Sequence, residues 1–265
     1  MQGFDPTRPN IARVYDYWLG GKDNFAADRE LAEKIAEINP GVSAMVRDNR
    51  AFAVQAVARA AESGIAQFLD LGAGLPTRPS VDEAARAVNP AARIAYVDYD
   101  PVVVSHTAAL LASRPGITAA SADLTDPAAV LAHPAVRQVI DPGQPVCVIV
   151  ACTLHFLEAA MARAVTAGYM NLAATGSQIL VSVVHIASAR MQAATPSSAY
   201  TAGTFFNHDQ QEITGWLAEW QLLPPGVSEA RRWISQAGGT PAGADAYILC
   251  AAAVKADQQG AGAAS

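Results

Sequence analysis

Residues 67–77 constrain the fold more than any other stretch of the chain. They begin with an apolar run that is typical of a buried strand and that carries one carboxylate, Asp70, near its end. Gly72 and Gly74 follow, before a helix that we predict to begin near Val81. Glycine suits such a turn because it adopts positive φ at little cost and lets a ligand approach the main chain. The segment therefore predicts a strand, a turn and a helix that together bind a nucleotide.

The position of Asp70 indicates the charge of that ligand. In dinucleotide-binding folds the glycine turn faces an anionic pyrophosphate at the start of the helix. A carboxylate at the strand end repels phosphate and attracts a cation, such as the ammonium and sulfonium groups of S-adenosylmethionine. Thr77 stands where a third glycine would complete the Gly-x-Gly-x-x-Gly pattern, so the turn alone also fits a purely structural connection.

Composition bounds the class of protein. A chain of 265 residues, of which 51% are hydrophobic and 16% charged, can bury the core of one large domain or of a domain with an added cap. The net charge of −6, with no basic cluster beyond Arg231-Arg232, predicts that nucleic acid is not a partner. No apolar run approaches the roughly 20 residues of a membrane span, and no targeting pattern opens the sequence, so we expect no membrane association and a cytoplasmic location. The oligomeric state stays open, and a homodimer is compatible with this composition.

The cysteines give no indication of a metal or a disulfide. Cys147, Cys152 and Cys250 lie in apolar runs, where a buried thiol is the usual state. Their spacing predicts neither a disulfide framework nor a metal site. We therefore expect no metal cofactor.

Residues 1–64 precede the part of the sequence in which predicted strands and helices alternate, and we expect them to form a helical cap. Asn10 is suited to cap the first helix, and the pair Gly20 and Gly21 interrupts the chain after it. The helices predicted here are Ile11–Trp18, 28–38 and Val42–Glu62.

From Ile65 onward, predicted strands and helices alternate, which is typical of a parallel sheet covered on both faces. The predicted strands are Gln67–Leu71, Arg93–Asp98, 117–122, 146–151, 178–184 and 247–255. The helices predicted between them are Val81–Val88, 101–112, 127–136 and 158–172. Two of these helices start clearly, because Asp100 and Asp126 are each followed by a proline. We expect an α/β domain over residues 65–257 and a frayed tail over residues 258–265.

The alternation lapses after the fifth strand. Residues 186–206 show little periodicity and are predicted to form an insertion near the site. Asn207 or Asp209 is suited to cap a following helix, and a short strand is predicted between Val227 and Trp233.

Carboxylates end or follow three successive strands of the predicted sheet: Asp70, Asp98 and Asp123. Parallel α/β sheets bind ligands at the carboxyl ends of their strands. Asp98 is placed to accept both hydroxyls of a ribose. Asp123 is placed to accept from an adenine amino group while the Leu124 N–H donates to the ring. The alternative for such acids is a structural role as helix caps.

Several segments match the motif series of a known enzyme class. They are Leu69-Asp70-Leu71-Gly72-Ala73-Gly74, Tyr96-Val97-Asp98, Ala122-Asp123-Leu124 and the turn at Ala151. They resemble the motifs of class I S-adenosylmethionine-dependent methyltransferases. Residues 13–24, 49–52, 67–77 and 154–156 more closely resemble an actinobacterial family of S-adenosylmethionine methyltransferases, long catalogued as a domain of unknown function. The likeness covers about residues 10–255 and implies a Rossmann-like, doubly wound, seven-stranded sheet in the order 3-2-1-4-5-7-6, with the last strand antiparallel.

The resemblance also implies S-adenosyl-L-methionine as the cofactor and a role for each motif residue. The methionine end would be held by Asp70, Gly72, Ala73 and Gly74, the ribose by Asp98 and the Tyr99 backbone, the adenine by Asp123 and Leu124, and the ammonium by the Ala151 carbonyl. Arg50 and Lys22 are the candidates for the cofactor carboxylate. Asp82 stands where the family usually has a histidine, and residues 207–209 replace an arginine-containing helix start, so no substrate is carried over.

The N-terminal segment is predicted to cover the site. It combines aromatic rings, a polar side chain and a glycine pair in Tyr15, Tyr17, Gly20, Gly21 and Asn24. A lid that excludes water from a sulfonium needs such groups. An amphipathic helix packed permanently on the sheet is the alternative.

Methyl transfer by in-line displacement needs a placed acceptor and little else from the protein. A general base is required only for a hydroxyl or a protonated amine. His155 and His185 are the candidates because both follow strands at the ligand-binding edge, although a structural histidine is the commoner state. His106, His133 and His208 are predicted to lie at the surface.

Two alternative functions need motifs that the sequence lacks. A short-chain dehydrogenase needs Tyr-x-x-x-Lys, and none of the seven tyrosines has a lysine four residues on. A nucleic-acid amino-methyltransferase needs Asn/Asp-Pro-Pro-aromatic where Ala151-Cys152-Thr153-Leu154 stands. A non-catalytic protein that senses S-adenosylmethionine or S-adenosylhomocysteine and an NAD-binding oxidoreductase stay open. The sequence favours a methyltransferase that acts on a small-molecule acceptor in specialised metabolism.

Overall fold

The computed structural model describes residues 5–111, 114–194, 204–234 and 244–256. A single mixed sheet runs through this part of the chain. Its strands are β1 (Gln67–Leu71), β2 (Arg93–Asp98), β3 (Ile117–Ser121), β4 (Cys147–Ala151), β5 (Gln178–Ile186), β6 (Gln221–Leu222), β7 (Ser228–Glu229) and β8 (Ala246–Val254). They lie in the order β3-β2-β1-β4-β5-β8-β6, with β7 also paired to β8. The predicted Rossmann-like order is confirmed.

One strand more than predicted is present because the sixth position of the fold is divided. Both β6 and β7 pair antiparallel with β8, which itself runs antiparallel to β5. Pro224 and Pro225 lie between β6 and β7, and proline has no N–H to donate to a sheet. The strand predicted between Val227 and Trp233 is β7, and a short helix follows it directly.

The helices agree with most of the predicted boundaries. They are α1 (Ile11–Trp18), α2 (Ala26–Ile38), α3 (Val42–Glu62), α4 (Val81–Val88), α5 (Pro101–Leu110), α6 (Pro127–Ala132), α7 (Pro134–Arg137), α8 (Ala159–Leu172), α9 (Ala189–Ala194), α10 (Gln210–Trp216) and α11 (Ala230–Ile234). The single helix predicted over residues 127–136 is wrong: it breaks at His133, whose ψ is 130°. The residue before a proline is kept out of the helical region, and Pro134 follows. No helix within the described ranges is both long and apolar enough to cross a membrane.

The sheet separates two hydrophobic cores. On one face, Val14 of α1 and Phe52 of α3 belong to the same buried cluster as Phe68 of β1. On the other face, Leu69 packs in a cluster with Tyr169 of α8. The N-terminal helices therefore share a core with the sheet. Whether residues 1–64 act as a separate cap stays a prediction.

Buried polar contacts fix α1 over the edge of the sheet. Arg13 Nε lies 2.8 Å from Asp28 Oδ2 of α2, and both side chains are almost fully buried. Asn10 caps α1 as predicted, and its backbone N–H donates to Asp28 Oδ1. The Asn10 amide also donates to Asp100 Oδ2 at 2.5 Å, at the start of α5. These contacts bring α1 close to the carboxyl ends of the parallel strands.

The region after β5 differs in part from the expectation. Ile186, the first residue of the predicted insertion, belongs to β5 and exchanges two hydrogen bonds with the Asn207 side chain. Asp209, not Asn207, caps α10. Residues 195–203 of the predicted insertion and the predicted tail over residues 258–265 lie outside the described residues.

Candidate cofactor site

The turn after β1 folds back onto the end of β2. The N–H groups of Gly72 and Ala73 donate to the Val97 carbonyl over 2.8 and 3.1 Å. Gly72 and Gly74 have φ values of +65° and +64°, which residues with a side chain rarely adopt. At Gly72, a Cβ would also lie 2.7 Å from Thr153 Oγ1. The backbone path of this turn therefore depends on glycine.

Asp98 ends β2 and braces the same turn. Its Oδ2 accepts from the Gly74 N–H at 3.0 Å, and its Oδ1 accepts from the Asp100 N–H at 2.9 Å. Burial raises the pKa of Asp98, and the backbone hydrogen bonds oppose that rise. Each carboxylate oxygen can accept more than one hydrogen bond, so Asp98 retains the capacity to bind hydroxyls. Tyr99 beside it is 64% exposed.

A cleft opens between α1, α3 and the carboxyl ends of β1 and β4. It encloses about 750 Å³, part of which is open to solvent. Six of the predicted cofactor-binding residues line it: Arg50, Asp70, Gly72, Ala73, Gly74 and Ala151. The structure thus brings the end of β1, the glycine turn, the end of β4 and one arginine into a single site.

Asp70 and Arg50 give this cleft one acidic and one basic group. Burial raises the pKa of Asp70 to about 7, a rise that the positive charge of Arg50 reduces and the negative charge of Asp98 increases. The Arg50 guanidinium donates to the carbonyls of Thr77 (2.8 Å) and Pro79. Its Nε is buried and has no hydrogen-bond partner among the described residues. Both groups therefore retain unused polar capacity inside the cleft.

The end of β4 carries an unusual backbone conformation. Cys152 has a φ of +53°, the one positive value among the non-glycine residues that the structure describes. Its N–H donates to both the carbonyl and the hydroxyl of Ser182 on β5. Burial raises the pKa of the Cys152 thiol to about 12, so the thiol is not an activated nucleophile. The preceding carbonyl, of Ala151, accepts from Thr153 Oγ1 at 3.1 Å.

The predicted adenine residues lie beyond β3. Asp123 is exposed, and its Oδ1 accepts from both the N–H and the hydroxyl of Thr125. Leu124 is buried, and its carbonyl accepts from the Tyr169 hydroxyl at 3.0 Å. Both residues are held in place, but neither lines the cleft described above.

The predicted cover residues divide into two groups. Tyr15 lines the cleft, whereas the Tyr17 hydroxyl lies 3.3 Å from Glu33 on α2. Lys22 is exposed outside the cleft. The Asn24 amide donates to Asp16 Oδ2 at 2.9 Å. Tyr17, Lys22 and Asn24 are therefore not brought to the cleft in this arrangement, and their predicted roles in cofactor binding stay untested.

The predicted bases lie away from the cleft among other histidines. His155 is buried, and its Nδ1 lies 3.4 Å from the Val184 N–H. Burial lowers the pKa of His155 to about 3. His185 Nδ1 lies 2.7 Å from the carbonyl of His208. The predicted surface position of His208 is wrong: the ring is buried, with Nε2 lying 2.9 Å from the Leu157 carbonyl.

Asp82, which departs from the family pattern, has a structural role in this chain. Its carboxylate accepts from the hydroxyls of Ser80 (2.5 Å) and Tyr96 (2.9 Å) and pairs with Arg114 at 2.8 Å. Burial raises its pKa, but these hydrogen bonds and the Arg114 charge outweigh burial, and the pKa is lowered overall. Asp82 thereby fixes the start of α4 next to β2.

The residues that line the cleft also include Asp16, Asn49 and Cys152, which are not among the predicted site residues. The place of Asp16 in the cleft could have been predicted. Asp16 follows Tyr15 and lies one helical turn after Ala12, so Ala12 and Asp16 share one face of α1. Asn49 and Cys152 had no comparable signal. Their roles depend on how α3 and β5 pack against β4.

Comparison with known proteins identifies the family of the chain. A family described as S-adenosyl methyltransferase matches residues 1–258 of the chain. The chain belongs to this family. A Thermobifida fusca protein, provisionally described as a methyltransferase, is 34% identical over 95% of this chain and 96% of its own, with a TM-score of 0.86. A DUF574 family protein from Streptomyces avermitilis is 30% identical over 95% and 99% of the two chains, with a TM-score of 0.85.

More distant structures share the fold of this S-adenosyl methyltransferase family member. The N-methyltransferase NodS from Bradyrhizobium japonicum, solved with S-adenosyl-L-homocysteine, is 12% identical over 92% of this chain and 100% of its own, with a TM-score of 0.51. No curated protein sequence matches the chain. The cofactor of the family is S-adenosyl-L-methionine, as the sequence predicted.

Proposed function

We propose that this protein transfers a methyl group from S-adenosylmethionine to a small molecule. The observation that carries the proposal is that Asp70 and Arg50 line the same cleft. An amino-acid end presents an ammonium and a carboxylate. Asp70 and Arg50 offer it one acid and one base, with a free buried donor at Arg50 Nε. The donor set therefore fits the methionine end of the cofactor.

The remaining cofactor groups follow the strand ends. Asp98 would accept the ribose hydroxyls beside the glycine turn that it braces. Asp123 and Leu124, beyond β3, would bind the adenine. The Ala151 carbonyl, at the end of β4, would add a second acceptor for the ammonium. A diphosphate fits this arrangement poorly, because Asp70 and Asp98 both lie where its charge would fall.

The chain's own contribution to the reaction is placement and exclusion of water. Bound S-adenosylmethionine supplies a methyl group already activated by the sulfonium. Helix α1 covers the cleft with Ile11, Ala12 and Tyr15, which limits access of water. The acceptor must then be held in line with the methyl group.

Of the two predicted bases, His185 is the better suited to take a proton. Its Nδ1 faces the His208 carbonyl and must carry the hydrogen, so Nε2 is the basic nitrogen. His155 uses Nδ1 to accept from Val184, and burial lowers its pKa to about 3. A base is needed only if the acceptor is a hydroxyl or a protonated amine.

Calorimetry provides the first test. We expect S-adenosylmethionine and S-adenosylhomocysteine to bind with micromolar affinity and NAD not to bind. Tight NAD binding, or no binding of the first two, would contradict the proposal.

Turnover separates an enzyme from a sensor. The protein is incubated with methyl-labelled S-adenosylmethionine and a low-molecular-mass extract of an actinobacterium. We expect label in a small organic product and release of S-adenosylhomocysteine. Label found only in protein or nucleic acid would refute the small-molecule acceptor, and binding without turnover would favour the sensor.

A further inference from the structure

A chain of hydrogen bonds connects the backbone directly after β4, on one side of the cleft, to helix α1 on the other side. The Cys152 N–H donates to Ser182 Oγ at 3.0 Å, and the Ser182 hydroxyl donates to Asn49 Oδ1 at 2.6 Å. The Asn49 amide donates to the Tyr15 hydroxyl at 2.8 Å, and Tyr15 donates to the Val46 carbonyl at 3.3 Å. The chain therefore links β4, β5, α3 and α1.

The two ends of this chain fix its direction. The N–H of Cys152 can only donate, and the carbonyl of Val46 can only accept. Each group between them must then accept from the Cys152 side and donate toward Val46. Burial raises the pKa of Tyr15, so its hydroxyl keeps the proton that it donates. An ionised aspartate in place of Asn49 would have no hydrogen to give Tyr15.

The position of the chain relates it to ligand binding. Tyr15, Asn49 and Cys152 all line the cleft. Asn49 and Ser182 are 4% and 1% exposed, so water cannot easily replace a lost partner. The bonds to Ser182 also hold Cys152 in its left-handed conformation, directly after the carbonyl of Ala151. A substitution at Asn49 should therefore affect both Tyr15 of α1 and, through Ser182, the backbone at Cys152.

We propose that Asn49 is a positioning residue that couples the placement of α1 to cofactor binding, through Tyr15 on one side and Ser182 on the other. This inference rests on the proposed function, because it assumes that the cofactor occupies this cleft. In this inference Asn49 acts through its two neighbours, Tyr15 and Ser182. It predicts that disrupting either side of Asn49 weakens binding.

The affinity test uses S-adenosylhomocysteine and calorimetry on the full chain. Asn49→Asp, Ser182→Ala and Tyr15→Phe are each expected to weaken binding about tenfold, the effect of losing one buried hydrogen bond. Ser177→Ala is the matched control, because Ser177 is also buried and accepts the Val146 N–H, but at the opposite end of the β4–β5 pair. Its affinity should change less than about twofold.

Hydrogen exchange supplies a second readout, because a general loss of stability would increase exchange in α1 and in the glycine turn alike. In the wild type, saturating S-adenosylhomocysteine should slow exchange in the peptides that cover α1 and the glycine turn, compared with the protein without ligand. In Asn49→Asp the turn should still be protected, whereas α1 should lose most of its ligand-induced protection. Tyr15→Phe, which removes only one oxygen from a half-buried side chain, repeats the test if Asn49→Asp does not fold.

The outcomes separate this inference from the proposed function. Failure of the wild type to bind S-adenosylhomocysteine refutes the proposed function. If the wild type binds but Tyr15→Phe and Asn49→Asp bind equally well, the proposed function stands and the coupling is wrong. Equal losses in Ser177→Ala and Ser182→Ala, or unchanged protection of α1, would also overturn the coupling.

Discussion

Two clusters of ionisable groups lie at the carboxyl edge of the sheet, and they differ in how their polar atoms are used. The cleft pair, Asp70 and Arg50, keeps unused capacity: one carboxylate has a pKa raised to about 7 by burial, and one guanidinium Nε has no partner among the described residues. The histidine cluster, His155, His185 and His208, has ring nitrogens facing backbone groups.

The difference shows which buried polar groups point to a ligand. A buried group with satisfied hydrogen bonds stabilises the fold and needs no further explanation. A buried group that stays unsatisfied costs free energy, and a bound ligand of opposite charge can offset that cost. This criterion supports the proposed cofactor site at the cleft pair and a structural role for His155.

Replacing Asp70 should have the largest effect. Asp70→Asn removes the charge opposite the cofactor ammonium, and we expect the affinity for S-adenosylhomocysteine to fall about 30-fold to 1,000-fold by calorimetry. His155→Phe is the matched replacement in the histidine cluster and should leave the affinity within about twofold. Equal losses in the two variants would remove the distinction between the clusters.

The same variant should be more stable than the wild type at alkaline pH. The folded pKa of Asp70 is raised above its unfolded value, so its stabilising contribution is present below about pH 4 and is lost as the pH rises through about 7. Asp70→Asn, which carries no charge to bury, should therefore raise the free energy of unfolding by about 2 kcal/mol at about pH 8. Denaturant titration measures the difference. A variant less stable than the wild type would show that Asp70 is a structural group.

Cofactor affinity should depend on pH through Asp70. The cofactor ammonium binds the ionised carboxylate of Asp70. In the protein without ligand, burial raises the pKa of Asp70 to about 7. Affinity for S-adenosylhomocysteine should then fall about tenfold between about pH 8 and pH 6. In Asp70→Asn this dependence should disappear, and its persistence would assign the titration to another group.

The two clusters were not equally predictable from sequence. Asp70, Gly72 and Asp98 could be predicted because strand ends, glycines and carboxylates are local signals, and the parallel fold brings strand ends together. Most strand and helix boundaries followed for the same reason, but Pro134 broke one predicted helix and the sheet has one strand more than predicted. The use of each histidine nitrogen depends on segments distant in the chain, as with His208 and Leu157.

The face of α1 shows the limit of sequence-based prediction most directly. Tyr15 and Tyr17 are two residues apart, and both were expected at the site. A helix turns by about 100° per residue, so they point to different neighbours. Tyr15 meets Asn49 and the cleft, and Tyr17 meets Glu33 of α2. Which face turns toward the sheet depends on the packing of α1 against α2 and α3.

Replacing His155 should affect stability and not binding. His155→Phe keeps an aromatic ring beside Phe156 and Phe205 but leaves the Val184 N–H without its acceptor, at a cost of about 1 kcal/mol near pH 7.5. Burial lowers the folded pKa of His155 to about 3, so its contribution is present above about pH 6.5 and is lost as the pH falls toward 3. The difference between variant and wild type should therefore shrink in acid, as measured by urea unfolding at several pH values. A difference that grows on acidification would show that His155 is charged when folded.

The smallest effects are expected outside both clusters, at Tyr17 and Lys22. The Tyr17 hydroxyl has a 3.3 Å contact with Glu33 at the surface, and Lys22 is exposed. Tyr17→Phe and Lys22→Ala should each change the free energy of unfolding by less than about 0.5 kcal/mol and cofactor affinity by less than about twofold. Calorimetry on these variants, with Tyr15→Phe beside them, tests whether the face of α1 seen here is the one that meets the cofactor. A large loss of affinity in Lys22→Ala would mean that the loop after α1 moves onto the cleft when the cofactor binds, and that Lys22 has a role now assigned to Arg50.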